Sequence, residues 1–175
     1  MHDIITIHGP VGAGKSTLTD MLRERYPSYA YVDRPYIKRG LKPAGKKVAL
    51  RLSKEASYLL INELITLGQD MIVQELDPES IRKRLGDEFL EGKGYRIVPF
   101  YIACPVETAI QRDIERDAKT VGEEGVRRIH DGYAQPHPYE IVIETDNASV
   151  EDCIYRMISS IENGPTCPST CPYPS

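Results

Sequence analysis

Residues 9–17 read Gly9-Pro10-Val11-Gly12-Ala13-Gly14-Lys15-Ser16-Thr17, directly after the apolar run Asp3-Ile4-Ile5-Thr6-Ile7-His8. Glycines at 9, 12 and 14 let backbone N–H groups turn inward around an anion with no side chain in the way. Lys15 has the reach to bind β- and γ-phosphates, and the Ser16 hydroxyl is suited to hold Mg²⁺. The run Gly9-x-x-x-x-Gly14-Lys15-Ser16 thus satisfies every fixed position of a phosphate-binding loop. The alternative is a glycine-rich turn without a ligand, but the flanks speak against it. An apolar strand leads in, and Leu18-Thr-Asp-Met-Leu-Arg-Glu-Arg25 continues as a helix whose positive dipole end points at the anion.

Working outward, four further runs rich in Ile, Val and Tyr read as strands: 29–32, 71–74, 97–103 and 139–144, in addition to 4–8. Helical spacing separates them. Asp77 caps a helix that begins at Pro78, Pro105 stands at a similar start, and Ser149-Val-Glu-Asp152 reads as a variant capping box for a last helix reaching about Glu162. Strands alternating with helices imply an α/β fold, a parallel sheet with helices on both faces. Leu18, Leu22, Leu59, Leu60 and Leu64 read as helix core faces. The domain is expected over residues 1–163, and residues 164–175, with four prolines, as a flexible tail. Cys167 and Cys171 in that tail lack histidine partners for a metal site.

The 175 residues carry 22 Lys+Arg against 26 Asp+Glu, a net charge of −4 that argues against general coating of nucleic acid. No apolar window approaches the roughly 18 residues of a membrane helix. No signal peptide is legible, and four scattered cysteines fit reduced thiols. A cytoplasmic protein is expected.

A GTPase would carry an Asn-Lys-x-Asp stretch, and an ABC-type ATPase a Ser-Gly-Gly signature; the sequence has neither. What remains resembles the P-loop kinases, in particular the group of polynucleotide kinase domains, zeta toxins, chloramphenicol phosphotransferase, adenylylsulfate kinase and gluconate kinase. The resemblance rests on GPVGAGKST with its Walker A pattern, on QDMIVQE, on FYIACPVETAIQRDIER and on PHPYEIVIETDNASVEDC. It implies a P-loop NTPase three-layer sandwich, a five-stranded parallel sheet in the order 2-3-1-4-5. It also implies ATP and Mg²⁺ as cofactors, a lid at about residues 112–125, and a loop at Asp146-Asn147-Ala148 passing the adenine. Gly9 to Thr17 are the expected cofactor-binding residues, with Lys15 catalytic.

Arg112 and Arg116 are four apart, which sets them on one helix face. In the resemblance such a pair closes over the γ-phosphate, with Lys119 following. The alternative is a solvated helix paired with Asp113, Glu115 and Asp117. Asp33 is the candidate base, or else a turn residue before Arg34-Pro35. Glu75 is the candidate carboxylate near Mg²⁺ or acceptor, with Ser16 as the other metal ligand. Residues 34–54 hold eight basic side chains and no acidic one, and read as a loop leading into a helix from about Lys46 to Leu67. Arg34, Tyr36, Lys38 and Arg39 are the expected substrate-binding residues, for an anionic acceptor or a nucleic-acid end. Tyr31 and Tyr36 either stack a base or pack. His8, His130, His137 and Cys104 are given no role. The expected activity is ATP-dependent phosphotransfer to a hydroxyl, with a 5′-hydroxyl polynucleotide kinase and an ATP-dependent regulatory switch as alternatives.

Overall fold

The computed structural model describes residues 1–116 and 120–164. Lys119, Asp117 and the expected tail beyond Gly164, with Cys167 and Cys171, lie outside the described residues. Five strands form one sheet: β1 (His2–His8), β2 (Ala30–Asp33), β3 (Met71–Gln74), β4 (Tyr95–Ala103) and β5 (Ile141–Glu144), in the order β2-β3-β1-β4-β5. This is the order that the resemblance implies. The parallel registers pair Ile4 with Met71, Ala30 with Met71 and Phe100 with Ile141. Ile4, Ile5 and Ile7 of β1 are all fully buried, and so is β3 throughout. Such continuously buried strands belong to parallel sheets covered on both faces. The strand expected from 139 begins at Ile141, because Glu140 turns back to accept the His137 amide.

The chain divides into two compact units, Met1–His8 with Arg23–Pro99, and Gly9–Leu22 with the chain from Phe100 on. In the first, α3 (Lys46–Thr66) buries Ala49, Ser53, Ser57, Ile61 and Ile65, every fourth residue and hence one stripe. Tyr58, Ile61 and Ile65 pack with Ile4, Val32, Met71 and Val73. Leu59 and Leu60, expected in that core, are 65% and 47% exposed, because Leu59 falls half a turn and Leu60 about a quarter turn off the stripe. The expected loop at 34–45 is instead a short helix, α2 (Arg34–Gly40), followed by a 3-10 turn at Lys42–Ala44. The Asp33 carboxylate accepts the Tyr36 amide at 2.8 Å, and Pro35 in the first turn presets the backbone. That local capping outweighs Gly40 and Gly45, the residues that read as loop. α4 (Pro78–Leu85) starts as expected, with Asp77 accepting the Ser80 amide at 2.7 Å and its hydroxyl at 2.6 Å, and α5 (Asp87–Gly92) follows.

In the second unit α1 begins at Lys15, the first residue of Lys15–Arg25. α6 (Val106–Ile114) takes Pro105 as its cap rather than as its first residue. α7 (Glu123–Asp131) follows, and Val126 on it joins Ala109 and Ile110 in a small core edged by Val11. α8 (Val150–Asn163) buries Cys153, Ile154, Met157 and Ile161, with the Ser149 hydroxyl accepting the Asp152 amide at 3.0 Å.

Burial works to raise the Asp77 carboxyl, but the Ser80 hydroxyl and amide, with Lys54 close by, outweigh it and hold the group below its usual range. A carboxyl depressed in the folded state stabilises the fold above its ordinary pKa of about 3.9 and loses that contribution as pH falls through its folded value. Asp77→Ala is expected to cost about 1 kcal/mol at neutral pH by urea denaturation. The difference from the unsubstituted protein should shrink as the titration is taken below about pH 4.

Candidate active site

The phosphate-binding loop leaves β1 at His8, and its carbonyl oxygens are all spoken for. Lys15 Nζ donates to the Gly9 and Pro10 oxygens at 2.8 and 2.7 Å. His130 Nε2 donates to Val11 O at 2.9 Å, and Arg112 Nη1 to Gly12 O at 3.2 Å. The Thr145 hydroxyl donates to Ala13 O at 3.0 Å and accepts from Arg112 Nη1 at 2.9 Å. A peptide whose oxygen is held on one side presents its N–H towards the other, which is the arrangement an anion needs. The glycines make the path possible. Gly9 has φ +143°, and a Cβ there would stand 2.1 Å from the Ile102 carbonyl oxygen. At Gly12, φ +78°, a Cβ would meet Ala109 at 2.8 Å. Ser16 and Thr17 at the start of α1 are exposed.

Beside this loop lies a cleft of about 210 Å³, walled by Gly14, Thr17, Leu18, Arg112, Thr145, Ala148, Val150 and Cys153. Leu18, Val150 and Ala148 are apolar, and the Arg112 guanidinium is fixed by a further 2.7 Å bond to Thr145 O. A heterocyclic base is accepted by such walls through apolar contact and by stacking on the guanidinium. Burial pushes both the Cys104 and Cys153 thiols above their ordinary values, so neither is a ready nucleophile.

Arg116 does not share a helix face with Arg112, contrary to the expectation from spacing. α6 ends at Ile114 with Glu115 as its cap, and Arg116 is exposed in the segment beyond. Asp113, expected as a surface partner for arginine, is instead 1% exposed and accepts the Val121 and Gly122 amides at 2.8 and 2.9 Å. It thereby ties α6 to the residues that lead into α7.

In the first unit, Asp33 ends β2 and Glu75 follows β3, neighbouring strands whose carboxyl ends are where open parallel sheets bind ligands. Glu75 has φ +60°, the one non-glycine residue with a left-handed backbone among the described residues. Its amide donates to Ile7 O at 2.9 Å, and Arg34 Nη1 donates to its carbonyl at 2.8 Å. Its carboxylate stands 3.5 Å from Lys38 Nζ. Strain of that kind is retained where surrounding bonds over-determine it, and it collects at functional sites. Tyr36 is 69% exposed with the Arg39 guanidinium 5.6 Å from its ring centre. Tyr31 packs: Arg23 covers its ring at 4.3 Å and its hydroxyl bonds Gln74. Among the described residues no group of three His, Cys, Asp or Glu side chains gathers as a metal site. The exposed Ser16 hydroxyl at the start of α1 is of the oxygen type that suits a hard cation. An ammonium at 3.5 Å makes Glu75 the poorer metal ligand.

No protein-family model matches the chain. Adenylyl-sulfate kinase of Staphylococcus haemolyticus is 27% identical to it over 91% of this chain and 84% of its own length. The adenylyl-sulfate kinase of Oceanobacillus iheyensis is 26% identical over the same shares. The APS kinase of Mycobacterium tuberculosis, solved with AMPPNP and APS, superposes with a TM-score of 0.66 at 13% identity, covering 92% of this chain and 98% of that one. A gluconokinase of Sinorhizobium meliloti gives the same TM-score at 11% identity over 92% of each chain. Sequence and fold together support a P-loop kinase. It is an ATP-dependent kinase.

Three side chains that hold this kinase's loop escape a reading of the sequence: His130, Tyr133 and Thr145. They lie more than 110 residues from the loop in the chain, as the separations of 119, 124 and 132 record, and no motif links them to it.

The glycines differ in a way that melting experiments resolve. Gly9→Ala sets a Cβ against backbone and is expected to cost more than about 4 kcal/mol, a loss that unfolds many domains. At Gly14 a Cβ has its nearest neighbour at 3.8 Å, so Gly14→Ala carries the backbone strain of φ +90° alone, about 1–2 kcal/mol.

Proposed function

We propose that this kinase transfers the γ-phosphoryl group of ATP to a hydroxyl of a small anionic acceptor of nucleotide-like character. The observation that carries the acceptor's charge is the basic segment 34–54. Of its eight basic residues, Lys42, Lys46, Lys47 and Arg51 are exposed, with no carboxylate in ion-pair range among the described residues. Adenylyl sulfate and gluconate, on which the named relatives and neighbours act, are both anions. Nothing in the site favours a nucleic-acid end over a small anion.

In this reading the loop amides and Lys15 hold the β- and γ-phosphates, and the cleft lined by Arg112 and Val150 takes the base. Mg²⁺ supplies charge neutralisation across the phosphates, with the Ser16 hydroxyl as its protein ligand. Arg34, Lys38 and Arg39 orient the anionic acceptor, with Tyr36 flanking it. Asp33 accepts the proton of the attacking hydroxyl: its Oδ1 is committed to the Tyr36 amide, which fixes the rotamer. The acceptor oxygen bonds to the γ-phosphorus as the bond to the bridging oxygen breaks, and ADP leaves. Arg116, at the start of the connection to α7, stabilises charge on the transferring group. Arg112 is engaged with Gly12 and Thr145 and acts on the loop and the base. A lid over about 112–125 then draws, among the described residues, on the end of α6, Arg116 and the first turn of α7. A cytoplasmic setting supplies both ATP and Mg²⁺.

The test is transfer of labelled γ-phosphate to adenylyl sulfate, gluconate, neutral sugars and a 5′-hydroxyl oligonucleotide, with Lys15→Ala as control. Label on a small anion, lost in the control and with acceptor KM rising steeply with salt, is the expected result. Label only on neutral sugars would overturn the anionic acceptor, and Lys15-dependent hydrolysis without transfer would point to a switch. Lys38→Ala is expected to raise the acceptor KM about tenfold with the KM for ATP within about twofold. Arg116→Ala is expected to lower kcat at least tenfold with little change in ATP affinity, whereas Arg112→Ala weakens ATP binding.

A further inference from the structure

The carbonyl oxygens of the loop are held partly by α7 and the residues just after it. His130, on the last turn of α7, reaches Val11 O at 2.9 Å. Since a carbonyl can only accept, the His130 proton is on Nε2. Two residues past the helix, Tyr133 presents its hydroxyl oxygen to the Gly9 amide at 2.9 Å. The same stretch contributes packing, because Val126 is fully buried in the cluster that Val11 edges. The Tyr133 ring is itself held edge-on against Tyr101, centroids 6.0 Å apart. The other end of α7 is also pinned, by Asp113 on the Val121 and Gly122 amides.

These contacts have a direction in common. Gly9 has φ +143° and Val11 lies between two glycines with positive φ, so the loop has little local preference to hold it in shape. One bond takes an amide at the loop's entry and another takes a carbonyl two residues on. Together they set the tilt of the first peptide planes, and hence where the following N–H groups point. We infer that His130 and Tyr133 are positioning residues for the phosphate loop, and that α7 belongs to the nucleotide-binding apparatus through them. The inference rests on the reading that the loop binds the ATP phosphates. A preorganised set of donors binds an anion without first spending energy on ordering itself, so releasing either anchor weakens ATP while leaving acceptor recognition alone.

Tyr133→Phe removes one hydroxyl and keeps the ring on Tyr101. His130→Ala removes the donor, and His130→Gln returns an N–H at nearly the same reach. Titration of each with ATP and Mg²⁺ is expected to give a Kd about fivefold to tenfold weaker for Tyr133→Phe and His130→Ala, the loss of about one hydrogen bond. His130→Gln should recover to within about twofold. In steady state the KM for ATP rises more than kcat falls, and melting temperatures stay close to that of the unsubstituted protein. Hydrogen exchange of the nucleotide-free protein supplies a second readout: the amides of residues 9–14 exchange faster in Tyr133→Phe. Unchanged ATP affinity with unchanged exchange would overturn the inference. So would a loss that tracks melting temperature and is not recovered by His130→Gln. Faster exchange in a protein whose unsubstituted form binds no ATP would sink the reading of the loop and leave the anchoring in place.

Discussion

A loop that binds an anion through its own amides must first dispose of its carbonyl oxygens. Here five consecutive carbonyls, Gly9 to Ala13, are held by Lys15, His130, Arg112 and Thr145. The rest of the second unit is arranged around meeting that demand. α6 carries Arg112, the end of α7 carries His130, and the residue after β5 is Thr145, whose amide continues the ladder to Ala103 at 3.0 Å. Buried backbone oxygens without donors are costly, so each of these elements contributes to the loop's shape as well as to its own packing.

The first unit solves a different problem, holding polar side chains at the ends of buried strands. Asp33, Gln74 and Glu75 follow hydrophobic runs that bury on both faces, and each is tied locally: Asp33 to the Tyr36 amide, Gln74 to the Tyr31 hydroxyl, Glu75 by its backbone to Ile7 and Arg34. These ties come from within the protein, which is how a site is held ready for a ligand. The buried stripe of α3 sets where the basic segment runs, since Ala49 and Ser53 turn inward while Lys46, Lys47 and Arg51 face out.

How far the sequence reaches depends on whether a feature is local. β1, the loop and α1 were legible because an apolar run, fixed glycines and helical spacing all lie within 25 residues of one another. The Asp77 and Ser149 caps were legible for the same reason. α2 was missed because Gly40 and Gly45 read as breaks, whereas the Asp33 cap and Pro35 determine the outcome. The arginine spacing at 112 and 116 held only as long as the helix did, and α6 ends at Ile114. His130, Tyr133 and Thr145 were illegible because their partners are more than 110 positions away, and nothing in a one-dimensional pattern encodes such a meeting.

Lys15 holds two carbonyl oxygens of its own loop. An arriving anion therefore competes with an internal decoy for the ammonium group. A lone orthophosphate that captures Lys15 breaks two good bonds to form its own, and the exchange is close to neutral. In the proposed reading, a nucleoside triphosphate would replace them while also meeting the loop amides and the cleft beside Arg112. If the loop binds phosphates as proposed, the folded-back lysine would act as a threshold that favours ligands long enough to engage the whole loop.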